Sequence, residues 1–297
     1  MKNIFIFNLK NRIRSLGFVF SFITVLAFCV VNMMILAWRS RNIDYYAAVS
    51  ASEAFLLRTD LPLNDLLRTL YVFLIVFPAG FMAYKNNKFN ITPVFKTRSS
   101  AYSFALTEAL TSFTCAFLCF FIPLSLSIIL NKIVFPGKET VAFSFNYAAT
   151  LTGDSVFQNT VGKGEPFLGL FLHHPQLYNL LYAFIFSVFC GLLSMFVCAI
   201  ANFIKSLPIL LFLPVYLLHY LMEKVDTVIG SRGEDSLYLN VDMTDYIMIR
   251  TFYGKSLVYF LSLCAFLIIS SCLMYIINYK KEISGNMRIL EKLGFGR

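Results

Sequence analysis

Few side chains in this sequence are of the kinds that do chemistry, and their spacing decides what they could do. Glu108 is the one acid inside a long apolar run. An acid at membrane depth marks a functional position by default. Yet Ala109 to Leu130 already holds 22 residues, enough to cross a bilayer. Glu108 could equally sit at the inner interface, against headgroups or a basic neighbour. His173 and His174 are adjacent, and adjacent side chains diverge, so they rarely share a metal. His219 stands beside Tyr220 near the end of a short apolar run. All three histidines are expected at a surface or interface. Cys29, Cys115, Cys119, Cys190, Cys198, Cys264 and Cys272 all fall inside apolar runs, so no disulfide framework is expected. Cys115 and Cys119 share a helical face, but no further metal ligand lies near, and they read as packing groups. Gly162-Lys163-Gly164 is no phosphate loop, because no glycine stands four residues before a Gly-Lys-Ser/Thr triplet. Neither His-Glu-x-x-His nor Gly-x-Ser-x-Gly occurs. No catalytic or metal-ligating residue is assigned, and a transport function would need energy from a partner or an ion gradient.

The elements that must hold these residues follow from composition. The chain of 297 residues is 58% hydrophobic and 14% charged, with 33 Phe and one Trp, Trp38. Its mean hydropathy is +0.71. Soluble domains carry roughly a quarter charged residues, so the solvent of this chain is mostly lipid. The formal net charge of +9 would suit nucleic acid if it clustered on a soluble module. No such module is visible, and no nucleic-acid partner is expected. The expected fold is an all-α integral membrane protein forming one transmembrane domain over residues 1–297.

A spanning helix needs roughly 20 apolar residues. Six runs qualify, at about 17–38, 66–84, 101–130, 178–204, 206–222 and 256–278. The first is too long for a cleavable signal core. The fifth is short and carries Pro208 and Pro214. Outer loops of 39–65, 131–177 and 223–255 would connect them. A structureless loop as long as 131–177 would be unusual, so short helices on the outer leaflet are expected there. The 223–255 loop is rich in acids: Glu223, Asp226, Glu234, Asp235, Asp242 and Asp245.

Lys and Arg set orientation. With the N-terminus inside, the inner segments hold Lys2, Lys10, Arg12, Arg14, Lys85, Lys88, Lys96, Arg98, Lys205, Lys280, Lys281, Arg288, Lys292 and Arg297. Only Glu282 and Glu291 oppose them there. The arrangement read is N-in and C-in.

Two inner segments could carry function. In the first sixteen residues, Phe5, Leu9, Ile13 and Leu16 are spaced four, four and three, which makes one apolar stripe. Lys2, Lys10, Arg12 and Arg14 are placed to meet anionic headgroups, with Arg12 at the stripe's edge. This reads as an amphipathic helix lying in the interface. The second segment is 85–100. It holds Asn87, Lys88, Phe89, Asn90, Ile91, Thr92, Pro93, Val94, Phe95, Lys96 and Arg98, with no acid. Exposed apolar groups in a basic frame suggest a docking surface. Pro93 could open a short helix with Thr92 as its cap.

This layout resembles the ABC-2 family of transporter permeases. Phe95-Lys96-Thr97-Arg98-Ser99-Ser100-Ala101-Tyr102 is similar to that family's basic, serine-containing entry into the third span. The short proline-containing fifth span, followed by an outer excursion, matches as well. The resemblance implies a bacterial cytoplasmic-membrane permease working by alternating access. Its partners would be a second permease subunit, identical or related, and an ABC ATP-binding subunit. That subunit would dock on the loop between spans two and three, at Asn87, Lys88, Phe89, Asn90, Thr92, Phe95, Lys96 and Arg98. ATP and Mg would sit on it, and this chain would bind no cofactor and would not be the enzyme. The expected cargo is an amphipathic peptide, drug or lipid-like molecule, and the long 131–177 loop suits antimicrobial-peptide export. Three other readings compete. An ion-coupled carrier predicts charged or broken helices at mid-membrane and inverted repeats. A membrane enzyme predicts clustered His, Asp, Glu or Cys at one membrane face, and none is found. A sensor or assembly protein predicts no transport.

Overall fold

Ser15 ends one helix and starts the next, and this small arrangement sets the entry to the bundle. Its hydroxyl donates to the carbonyl of Arg12 at 2.6 Å and accepts from the N–H of Phe18 at 3.3 Å. An N-terminal helix, α1 (Lys2–Ile13), thus stops, and α2 (Leu16–Arg39) begins with a capped first turn. The computed structural model describes residues 2–42, 49–58, 61–88, 101–135, 167–204, 207–230, 241–249 and 256–292, and they contain helices and connecting turns but no strand. The further helices are α3 (Pro62–Leu74), α4 (Val76–Lys88), α5 (Ala101–Val134), α6 (Leu168–His173), α7 (Pro175–Ala201), α8 (Leu213–Gly230), α9 (Met243–Ile247) and α10 (Leu257–Lys292). A 3-10 turn, Pro208–Leu211, leads into α8.

Among the described residues, six stretches are long and apolar enough to cross a membrane: Leu16–Arg39, Pro62–Asn86, Ser103–Val134, Pro175–Ala201, Pro208–Val228 and Leu257–Asn278. The chain is therefore a multi-pass membrane protein by length and composition of its helices. The second stretch begins at Pro62 rather than near Leu66. Leu61 is extended ahead of it, and proline suits a first helical position. The fifth runs to Val228, past Met222, because Glu223, Lys224 and Asp226 continue the helix although they end its apolar run. In the 131–177 region, α6 is a short helix, while 136–166 lies outside the described residues.

Proline chemistry explains how α2 seats on the second span. Pro78 has no N–H, so the carbonyl of Leu74, four residues before it, loses its helical donor. The hydroxyl of Ser21 takes that place at 2.9 Å. Close by, a Cβ on Gly17 would stand 2.3 Å from the carbonyl oxygen of Phe77. Only glycine lets the two backbones come so near.

The centre of the bundle is α7, where 72% of the apolar stretch is buried, against 11% for α8 and 17% for α10. Its buried face includes Ala183, Ser187, Cys190, Gly191, Ser194, Cys198 and Ala201. Small residues are what helices in lipid use to approach closely. Against them pack the aromatic rings of α5, with Phe120 edge-on to Phe186 at 5.6 Å and Phe117 edge-on to Phe184 at 5.7 Å.

The bundle has two unlike ends. One, the basic end, gathers α1 and the ends of α5 and α7 that meet it. At the other, the acidic end, segments 49–58 and 241–249 fold back onto the starts of α3, α7 and α10.

Candidate functional site

At the basic end, α1 is fastened to the bundle by a buried charge. Arg12 Nη2 lies 3.3 Å from Glu108 Oε1 on α5, and both side chains are nearly enclosed, at 4% and 6% exposure. Arg12 also reaches Cys198 Sγ near the end of α7, at 3.8 Å. One guanidinium thus joins α1, the third span and the fourth span.

This differs from the expected orientation of Arg12 toward headgroups. Arg12 is 3% exposed and points inward. Leu9 and Ile13 are half-buried against the core, and Phe5 is half-buried. The inward face of α1 is therefore a mixed one. Leu16, expected on the same stripe, is 88% exposed because the helix breaks at Ser15 and α2 sets off in a new phase. Lys10 and Arg14 are exposed, as are Ile6 and Phe7. Asn87 and Lys88 are the last residues of α4. Phe89, Asn90, Thr92, Phe95, Lys96 and Arg98 lie outside the described residues.

The acidic end is closed by a clamped segment. Every residue from Val241 to Ile249 is buried. Asp242 caps α9, accepting from the N–H and the hydroxyl of Thr244 at 2.8 Å each, while its other carboxylate oxygen meets Arg68 of α3. Asp245 stands 4.0 Å from the same guanidinium. Asp226 of α8 accepts from the N–H of Val241 at 2.7 Å. Tyr259 of α10 donates to the carbonyl of Val241 at 2.8 Å, and Tyr246 accepts from the N–H of Ser256. Burial pushes the Tyr246 phenol above its ordinary value. Ile249 donates its N–H to Leu57 at 3.0 Å, which links 241–249 to 49–58. The latter is tied in turn to α2 and α7: Asn32 donates to Ala54 at 2.9 Å and Asn179 to Ser52 at 2.8 Å.

His219 belongs to this end and corrects an expectation. It is buried, at 9% exposure, with its ring edge-on to Tyr71 at 5.9 Å. His173 and His174 are exposed. All seven cysteines are free thiols, and Cys115 and Cys119 only approach backbone carbonyls of Pro78 and Phe18. Among the described residues no group of three or more His, Cys, Asp or Glu is placed to hold a metal.

Sequence reading missed the Arg12–Glu108 and Arg68–Asp242 pairs, since each joins residues far apart in the chain. One signal was available. His219, Glu223 and Asp226 are spaced four and three on α8, and Arg68 and Tyr71 are spaced three on α3. Polar faces of helical period on two apolar elements call for each other.

No protein-family model, curated protein or solved structure matches the chain.

Proposed function

We propose that this chain is the membrane permease subunit of an ATP-driven ABC transporter of the ABC-2 type, working by alternating access in the bacterial cytoplasmic membrane. The observation that carries the reading is the Arg12 pin. It fixes a helix that precedes the spans to the third and fourth of them. A push on α1 from a partner would reach the bundle through that buried contact. The helix that ends at Lys88 and the one that begins at Ala101 flank the basic 85–100 segment in sequence.

In this reading both termini face the cytoplasm and α1 lies at the inner interface. An ABC ATP-binding subunit holding ATP and Mg docks on Asn87–Arg98, and a second permease subunit completes the pathway. ATP acts by binding one conformation better than the other. The cargo is an amphipathic peptide, drug or lipid-like molecule moving outward.

Co-purification tests this. The tagged chain, purified from its native membranes, should retain an ABC ATP-binding subunit and its ATPase activity. Phe89→Asp with Phe95→Asp should release it while leaving the chain monodisperse. If the wild-type chain retains no ATP-binding subunit, or the double variant holds it as tightly as wild type, the permease reading fails.

A further inference from the structure

At the acidic end α3 and α8 meet through a histidine on a tyrosine. His219 stands edge-on to Tyr71, with ring centroids 5.9 Å apart. Both side chains are buried. The imidazole Nδ1 and the Tyr71 hydroxyl are each enclosed with no hydrogen-bond partner. The same two helices carry the charged holds on the buried 241–249 segment. On α3 the hold is Arg68, one turn from Tyr71, which grips Asp242. On α8 it is Asp226, two turns from His219, which accepts from the N–H of Val241. The segment therefore bridges α3 and α8 one to two turns beyond the point where their rings touch. Any widening between the helices must break one of the two holds.

A neutral imidazole in this site leaves one nitrogen idle, which costs a single hydrogen bond. A protonated one must donate from both nitrogens, and an enclosed charge without a partner costs far more. The charged groups around it are Arg68 of α3, Asp242 of the segment and Glu223 of α8 itself. α7 adds the thiol of Cys190 beside Tyr71, and α10 reaches α8 through Tyr259, whose hydroxyl lies 3.5 Å from Met222 Sδ. Asp242 is already committed to Thr244 and Arg68. A proton on His219 thus sets a second cation in competition with Arg68 for that carboxylate. If the imidazolium takes Asp242, the α3 hold is lost. If it turns outward, α8 carries Asp226 away from Val241. We propose that His219 is a proton-operated latch on the 241–249 segment, closed while the imidazole is neutral and released when it is protonated. The latch does not depend on the permease reading.

Hydrogen exchange of the full chain in neutral detergent tests this, read by mass spectrometry at about pH 7.5 and about pH 5.5, which bracket an ordinary imidazole. Rates are corrected for the pH dependence of chemical exchange. In the wild-type chain, peptides covering 241–249 should lose protection severalfold at the lower pH, while those of α7 keep theirs. His219→Gln should abolish that difference. His219→Phe keeps a ring against Tyr71 and cannot titrate, so it should do the same and covers the case of a poorly folding Gln variant. A purely structural histidine would change protection equally at both pH values in the variants. The latch is overturned by an absent loss in wild type, by a loss shared with α7, or by a loss that persists in a folded variant.

Discussion

A guanidinium at 4% exposure is held in place only by what it touches. The Arg12–Glu108 pair took two charges out of water, and the desolvation of each offsets much of their attraction. Removing one partner leaves the other buried and uncompensated, which costs about 3–5 kcal/mol. Arg12→Met or Glu108→Leu alone should therefore lower the melting midpoint of the purified chain sharply. The double variant should recover most of that loss, because neither charge remains. Equal midpoints for single and double variants would mean that the two residues are not coupled.

Arg68 offers a test at the other end. Its guanidinium is 25% exposed and serves Asp242 and Asp245 together. Arg68→Ala should loosen the 241–249 segment without unfolding the bundle. In a background lacking the exposed Cys272, a cysteine replacing the fully buried Met243 should resist maleimide. It should react once Arg68 is also replaced. An unreactive double variant would show that the segment is held by its apolar residues alone.

At this scale the sequence was informative about type and silent about partner. Glu108 was legible as the acid at the edge of an apolar run, but its cation lies 96 positions away. Arg12 was counted with the headgroup-facing residues because it sits at the edge of an apolar stripe. A small rotation of α1 turns such a position inward, and the buried carboxylate decides the rotation. His219 was misjudged for a related reason. Its burial comes from Tyr71 and 241–249, neither of which is a neighbour in sequence.

The elements obey more local rules. Pro78 frees one carbonyl inside the second span, and Ser21 of the first span answers it. Ser21→Ala should cost about 1 kcal/mol. In a Pro78→Ala background the helix regains its own donor, so the same change should cost less. The coupling in that cycle measures the exchange, and additive losses would refute it. Gly17→Leu should do greater damage, since a side chain there meets the carbonyl of Phe77. All six apolar runs were legible from hydropathy, because in lipid the backbone must satisfy itself within each helix. Their ends were less so. The second and fifth spans start or stop on Pro62 and on charged residues, where helical propensity outlasts hydrophobicity. The closure of the acidic end was not legible. A segment such as 241–249, with Asp242 and Asp245 in it, reads as solvent-facing loop until its carboxylates find Arg68 and Thr244.

For the whole molecule the decisive quantity is sidedness. The described basic end exposes Lys10, Arg14 and Lys85, whereas the other end mixes exposed Asp65 and Glu223 with Arg39, Arg41, Lys132 and Lys224. Lys and Arg are retained on the cytoplasmic side, so the proposed orientation puts Lys10 and Lys85 inside and Glu223 outside. Single cysteines at these three positions, in a chain freed of Cys272, should separate cleanly in intact cells. A membrane-impermeant thiol reagent should label the Glu223 position and spare the other two until the membrane is permeabilised. The opposite pattern would carry the 85–100 loop and the Arg12 pin to the outer face, where an ATP-binding subunit could not reach them. The permease reading would not survive such a reversal. Orientation is thus the point at which the basic residues of the sequence, the position of α1 and the proposed motor all stand or fall together.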